Sequence, residues 1–335
     1  LSDFVFVPGV IQSPPDHRDW LYAVKAGPLP VALPSSYRLP EYPVGNQGPI
    51  GSCVGWASAA VKEYQENAGS VYFPLRFSPL FIYQECKKVD GMPDKEGTTL
   101  KAAMQVLQKI GACLERSHPY TTARPFPEPD PEDYVEAANY RVGNYVKIQT
   151  LEELKAAVMD TRTGAVLAAV LVCENFLKPE PGGFVPMPGG AMLGGHAIAV
   201  TGWNDTLECR YADGKTLRGF LRFRNSWGPE WGDRGYGWLP YNFFRGRTDL
   251  GVPYFFEAWT SIDLASPPTP VNTIELWIGK TEAKVDGMVV ALDQPPVVDS
   301  KTNRTLVPLR FVGEMTGYRV DYHAREQRIM LTRRQ

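Results

Sequence analysis

Cys53, His196 and Asn225 occur in that order, each inside a short motif rich in glycine and apolar residues. A thiol, an imidazole and an amide can serve as a nucleophile, its base and a group that orients the base. Around Cys53 the chain runs GNQGPIGSCVGWASAAV, around His196 GGHAIAVTGW, and around Asn225 FRNSWGPEWGDRGYGWLP. An unperturbed thiol has a pKa of about 8.5 and only the thiolate attacks, so a site built on Cys53 has to lower that value. Two devices are at hand. A helix beginning at Cys53 would offer partial positive charge from its N-terminus, and an imidazolium at His196 would offer a full one.

Taken singly, each residue has a plainer role. Cys53 reads as a small buried hydrophobe, His196 as a core histidine beside an apolar strand, Asn225 as a turn residue and Gln47 as a loop amide. Their joint occurrence in order, together with the long NSWGPEWGDRGYG string, is what singles out the chemistry.

These motifs resemble the papain-like cysteine peptidases, where a Gly-Ser-Cys turn is followed by His and Asn about 130 to 150 residues downstream. His196 falls in that window and Asn225 lies beyond it, which implies an insertion between the two. The resemblance implies that Cys53 attacks the scissile carbonyl with its thiol pKa held at roughly 3 to 4, and that His196 protonates the leaving amine. It further implies that Gln47, six residues before the nucleophile, joins the Cys53 N–H in an oxyanion hole. Asn225 would then accept a hydrogen bond from His196, with Trp227 of the NSWG motif shielding that bond. EGTTLKAAM resembles the Gly-rich wall that pairs with substrate backbone, which places Gly97 and Thr98 with Gly195 and Trp227 among the substrate-binding residues. Thr98 stands where the family has a second Gly. Val54 replaces the usual Trp after the nucleophile, and Gly195 replaces the Asp or Asn that many members carry before the base. Both replacements are expected to alter the cleft wall.

The elements that must position these residues are legible in outline. VGWASAAVKEYQENAG spaces Trp56, Ala60 and Tyr64 four apart and predicts a helix with Cys53 in its first turn. LFIYQECKK, TLKAAMQVLQKIG and LEELKAAVMD predict three more helices, whereas AVLAAVLV, HAIAVTGW, GFLRFRNSW and YGWLP read as strands between Gly-rich turns. Helices first and strands second give an α+β body. The resemblance makes it a two-lobed papain-like fold, a helical lobe plus a β-barrel-like sheet lobe, over residues 41–265.

Residues 1–40 are rich in proline and predict an extended strap. It is too short for the helical inhibitory propeptide usual in the family, yet long enough to cross a cleft. SPPTPVN marks a linker at 266–273. The following stretch, 274–335, reads as strand, strand, short helix, strand, strand. It resembles the stalk-like N-terminal domain of copper amine oxidases, which is common in secreted Gram-positive proteins, and makes a small α+β C-terminal domain. No copper follows from that resemblance, because no histidine cluster accompanies it and His323 stands alone. DGMPDKEG lacks the ligand spacing of an EF-hand loop, so the sequence calls for no metal and no cofactor.

Composition narrows the partners. The 335 residues suit one large domain and a small one, and 44% hydrophobic with 21% charged residues describe an ordinary globular chain. A net charge of −2 argues against nucleic acid or an anionic membrane as the main partner. No apolar run approaches the roughly 18 residues of a transmembrane segment. Of five cysteines, a catalytic Cys53 would leave four, enough for two bridges, though most of the four are expected to be small buried hydrophobes; Ile50 stands where plant and animal members carry a disulfide cysteine. The expectation is a secreted or cell-surface bacterial cysteine endopeptidase acting on polypeptide, with cell-wall contact through the C-terminal domain. The alternatives are a non-catalytic binding or scaffold module on the same fold, and a transpeptidase that passes the acyl-enzyme to an amine.

Overall fold

The structure is a computed structural model that describes residues 7–16, 19, 21–22, 32–67, 75–160, 162–263, 273–285, 288–315, 318–323 and 327–333. The chain divides into two compact units, a larger one running to Leu264 and a smaller one from Ala265 to Gln335. Residues 266–272 of the expected linker and His17 lie outside the described residues, as does the side chain of His323.

Several helices of the larger unit begin where a side chain accepts a free amide, although the first of them has no such cap. Helix α1 spans Cys53–Glu66, α2 Pro79–Val89 and α3 Leu100–Lys109. Ser78 caps α2 by accepting from the Phe81 N–H, with Pro79 at the first helical position, and Thr99 caps α3 by accepting from the Ala102 N–H. Past α3, Gly111 adopts φ +95, and a Cβ there would meet the Ala137 carbonyl at 1.8 Å. Helices α4 (Pro131–Ala137) and α5 (Leu151–Met159) follow, the second opened by a Thr150/Glu153 capping box.

Seven antiparallel strands form the sheet: β1 (Ser36–Arg38), β2 (Val142–Lys147), β3 (Val166–Cys173), β4 (Met192–Arg210), β5 (Thr216–Arg224), β6 (Tyr236–Pro240) and β7 (Phe255–Asp263). Their order is β2-β7-β3-β4-β5-β6, with β1 pairing on β4. Alternation along β3 and β4 divides two cores between the faces. Leu167, Ala169, Ala197 and Ala199 pack towards α1, α2 and α3, whereas Val166, Ala168, Val170, Ile198 and Val200 join a second core with Trp203, Phe223 and Trp231. Each face of the sheet therefore buries apolar residues, which is why β3 reads as an unbroken apolar run.

A buried charge pair links the helical side to the sheet. Glu63 of α1 holds the Arg224 guanidinium at the end of β5 and accepts from Arg76 Nε at 2.8 Å. Burial works against the Arg224 charge, but Glu63, together with Tyr64 and Tyr236, more than offsets it and raises the guanidinium pKa. Removing one partner of such a pair costs about 3 to 5 kcal/mol, because it leaves an uncompensated buried charge. The helix that carries Cys53 is thereby fixed to the strand that leads into Asn225.

The smaller unit holds a three-stranded sheet of Ile274–Leu276, Glu282–Val285 and Met288–Ala291, and two ribbons, Val297–Asp299 with Arg304–Leu306 and Tyr318–His323 with Arg328–Arg333. One helix, Leu309–Met315, contributes Phe311 to a core of Ala283, Val285, Val290 and Leu292. Five strands precede that helix where the sequence reading expected two. The apolar run divides at a turn with Gly279 at φ +75, and Asn303 at φ 53 turns the first ribbon.

Candidate active site

Cys53 opens α1, so its sulfur lies at the positive end of the helix. Two strands bring the other groups. His196 sits on β4 opposite Val170 of β3, and Asn225 follows the last residue of β5. The Ala197 N–H, one residue beyond His196, donates to Cys53 Sγ at 3.4 Å. His196 Nε2 lies 2.7 Å from Asn225 Oδ1. An amide oxygen only accepts, so Nε2 carries the proton of the neutral ring and Nδ1 is left as its basic nitrogen. Asn225 is itself held, since its N–H donates to the Gly235 carbonyl at 3.0 Å and its Oδ1 accepts from the Ser226 N–H at 2.8 Å. The Trp227 ring is buried against the imidazole, with centroids 4.5 Å apart and planes tilted by 32°.

Gln47 arrives from the loop before α1 and is 1% exposed. Its N–H donates to the Ser226 carbonyl at 2.8 Å, its Oε1 accepts from the Ser226 hydroxyl at 2.7 Å, and its Nε2 donates to the Ile50 carbonyl at 2.9 Å. An amide nitrogen carries two protons, and Ile50 takes one of them. Ser226 thus joins the glutamine to the asparagine.

The cleft between these groups is filled by the chain's own strap. Thr98 N–H donates to the Gly9 carbonyl at 3.0 Å, Ile11 N–H donates to the Thr98 carbonyl at 2.9 Å, and Val10 pairs with Thr98 in parallel. Across the cleft, the Gly195 carbonyl accepts from Gly9 N–H at 3.2 Å and Val10 N–H at 3.3 Å. Gly9 passes so close that a Cβ there would stand 2.5 Å from Cys53 Sγ and 2.6 Å from the Gly51 carbonyl oxygen. Thr98 and Gly195 therefore present main-chain groups to an extended segment. Gly97 contributes by absence of bulk, since a Cβ on it would meet the Gly9 carbonyl oxygen at 2.7 Å, while its own carbonyl is taken by Lys87 Nζ at 2.9 Å.

Occlusion reverses the electrostatics expected from the sequence. Burial pushes the Cys53 thiol up to about 12, against the opposing pull of the Ala197, Val54, Cys53 and Gly9 N–H groups. Burial also lowers the His196 imidazole to about 4, against the Asn225 hydrogen bond. With the strap in place the pair is a neutral thiol and a neutral imidazole, because both charged forms are desolvated. Val54 is fully buried and belongs to the helical-side core, which also holds Cys53 and Val10. All five cysteines are free.

Sequence reading missed the plug residues Gly9, Val10 and Ile11, the Ser226 hydroxyl, Arg224, and Tyr120, whose hydroxyl reaches the Gln47 loop. Ser226 was within sight as the serine of NSWG. The strap carries no side-chain motif to announce it.

Comparison with known proteins follows the same two units. Residues 37–245 match the papain family cysteine protease model, and residues 269–331 match the copper amine oxidase N-terminal domain. An uncharacterised peptidase C1-like protein of Acanthamoeba polyphaga mimivirus is 28% identical over 216 residues, 59% of this chain and 64% of that protein. Cathepsin J of Mus musculus is 28% identical over 232 residues, covering 62% and 65% respectively. The chain thus spans just under two thirds of each of these two relatives. Among solved structures, xylellain, a cysteine protease from Xylella fastidiosa, shares the fold at TM-score 0.64 and 24% identity, over 77% of this chain and 96% of that one. The cysteine protease and lectin-like domains of Cwp84, a surface layer associated protein of Clostridium difficile, share it at TM-score 0.60 and 17% identity, over 78% and 56%.

Proposed function

The chain belongs to the papain family of cysteine proteases, and we propose that it is a secreted or cell-surface cysteine endopeptidase held latent by its own strap. The observation that carries this reading is the 2.7 Å contact of His196 Nε2 with Asn225 Oδ1, one residue from the N–H that donates to Cys53 Sγ. Once the strap lifts, solvent returns, and the helix N-terminus and the imidazolium favour the thiolate. Cys53 Sγ then attacks the carbonyl carbon of a peptide bond. The Cys53 N–H and the Gln47 amide take the oxyanion, and the imidazolium gives its proton to the leaving amine as the C–N bond breaks. Water, deprotonated by His196, releases the acid from the acyl-enzyme and restores the thiol. Polypeptide would pair its main chain with Thr98 and Gly195, the groups that the strap now uses.

Extracellular placement and cell-wall contact through the C-terminal unit belong to the same reading. They are supported by the match of residues 269–331 and by the fold shared with a surface layer associated protein. Among the described residues no helix is long and apolar enough to cross a membrane.

Iodoacetamide treatment of the full chain at pH 5 to 6, followed by peptide mapping, tests the reading. Cys53 is expected to label ahead of Cys209, the most accessible of the other cysteines, and Cys53→Ala is expected to abolish peptide hydrolysis. Hydrolysis that survives Cys53→Ala, or labelling still led by Cys209 once Gly9→Ala has opened the strap, rules the enzyme out.

A further inference from the structure

Tyr120 lies in the SHPYTT turn, far from the motifs that carry the chemistry. Its hydroxyl donates to the Gln47 main-chain carbonyl at 2.7 Å and stands 2.6 Å from Ser52 Oγ. A phenol has one proton, and with that proton on the Gln47 carbonyl, Ser52 must donate to the phenol oxygen. The order is therefore fixed: Ser52 hydroxyl to Tyr120, and Tyr120 to Gln47. One side chain grips both ends of the loop 47–52.

The two oxyanion donors sit at the ends of this same loop. Gln47 supplies the amide, and Ser52 immediately precedes the Cys53 N–H. Between them the main chain is glycine-rich, with Gly48 at φ +57 and Gly51 two residues before the nucleophile. Gly51 is tied sideways, its N–H donating to Glu96 Oε2 at 3.0 Å. Ser226 fixes the side-chain oxygen of Gln47 and its N–H, but the Gln47 carbonyl answers to Tyr120. Tyr120 is anchored in turn: its N–H donates to Glu115 Oε1 at 2.9 Å, and its ring meets Trp56 of α1 edge-on at 4.8 Å between centroids. Oxyanion stabilisation depends on donors held close to their working separation, and a misplacement of about 1 Å can cost about 100-fold in rate.

Resting on the peptidase reading, we propose that the Tyr120 hydroxyl is a positioning group for the oxyanion hole, setting the spacing between the Gln47 amide and the Cys53 N–H by bridging Gln47 and Ser52. It touches no substrate. Its effect is carried by the two donors.

Tyr120→Phe keeps the ring against Trp56 and removes only the bridge. In the full chain at pH 5 to 6, with turnover of a peptide substrate normalised to Cys53 titrated by iodoacetamide, kcat is expected to fall about tenfold. KM, the melting temperature and the Cys53 alkylation rate are expected to hold, since alkylation develops no oxyanion. In a Gln47→Ala background the same change is expected to cost less than about twofold, because one of the two spaced donors is already gone. Unchanged kcat overturns the proposal. So does a fall in which alkylation or melting temperature moves in step with kcat, which marks a structural role, or a penalty undiminished in Gln47→Ala. Should the chain neither hydrolyse peptide nor label at Cys53 even with the strap opened by Gly9→Ala, the peptidase reading itself fails.

Discussion

The strap meets the molecule in two ways along its length. Over Pro8–Ile11 it is held by main-chain bonds to Thr98 and Gly195 and by close fit over Cys53 Sγ, with no charged side chain of its own. From Ser13 to Asp19 side chains take over. Lys101 Nζ lies 3.0 Å from Asp16 Oδ2 and 2.5 Å from Asp19 Oδ1, Ser13 Oγ accepts from the Lys101 N–H at 3.2 Å, and Ser13 N–H donates to Glu257 Oε2 at 3.1 Å. Main-chain bonds ignore side-chain identity but tolerate no bulk. Ion pairs tolerate bulk but weaken with salt and vanish with the charge. Blocking and tethering are thus separate tasks in neighbouring segments, and each can be disabled alone.

The largest effect is expected at the plug. Gly9→Ala forces a Cβ to within 2.5 Å of Sγ, and overpacking of this kind costs about 1 to 3 kcal/mol, or about 5- to 150-fold in the open fraction. Cys53 alkylation should accelerate by that factor while the Lys101 pairs persist; an unchanged rate would show that the plug does not control access.

Acid should act on the same segment through His196. The closed form holds the ring near 4, whereas a solvated histidine titrates near 6.5. In a Cys53→Ala chain, where no thiol gives up a proton on opening, the open form takes up between those values a proton that the closed form refuses, so stability of closure is present above 6.5 and is lost as pH falls towards 4. Amide exchange at Gly9, Val10 and Ile11 in that variant, corrected for its intrinsic pH dependence, is expected to rise about 100-fold across that window. Flat protection would separate the plug from the imidazole.

Lys101→Met should produce the smallest change. It removes the tether charges and leaves the plug bonds, and for such partly exposed pairs about a threefold gain in alkylation is expected. Added salt should accelerate the unsubstituted chain and leave the variant unmoved. A gain matching that of Gly9→Ala would dissolve the distinction between plug and tether.

What the sequence disclosed follows the same division. Cys53, His196, Asn225 and Gln47 are read from side-chain type and spacing, and the structure gathers all four, because α1 and the β4–β5 pair are long enough for their periodicity to show. The plug acts through main-chain groups and a missing Cβ, so VPGV carried no legible signal beyond a glycine. The bonds of Ser226 and Tyr120 to Gln47 join residues far apart in the chain, and no local pattern encodes them. Strands of three or four residues in the smaller unit are too short for alternation to register. Thiol chemistry was misjudged for the closed form because neighbours can be inferred from sequence, whereas exclusion of water depends on where a distant segment lies.

The fully buried sulfur of Cys53 has a kinetic consequence. A reagent can reach it only during an excursion of the strap, so modification is a sampling of those excursions. At low reagent concentration the rate reports the opening equilibrium multiplied by intrinsic reactivity; at saturation it levels off at the opening rate constant itself. The chain therefore carries its own stopwatch, and the height of that plateau sets the ceiling on how fast any substrate, whatever its sequence, can first gain entry.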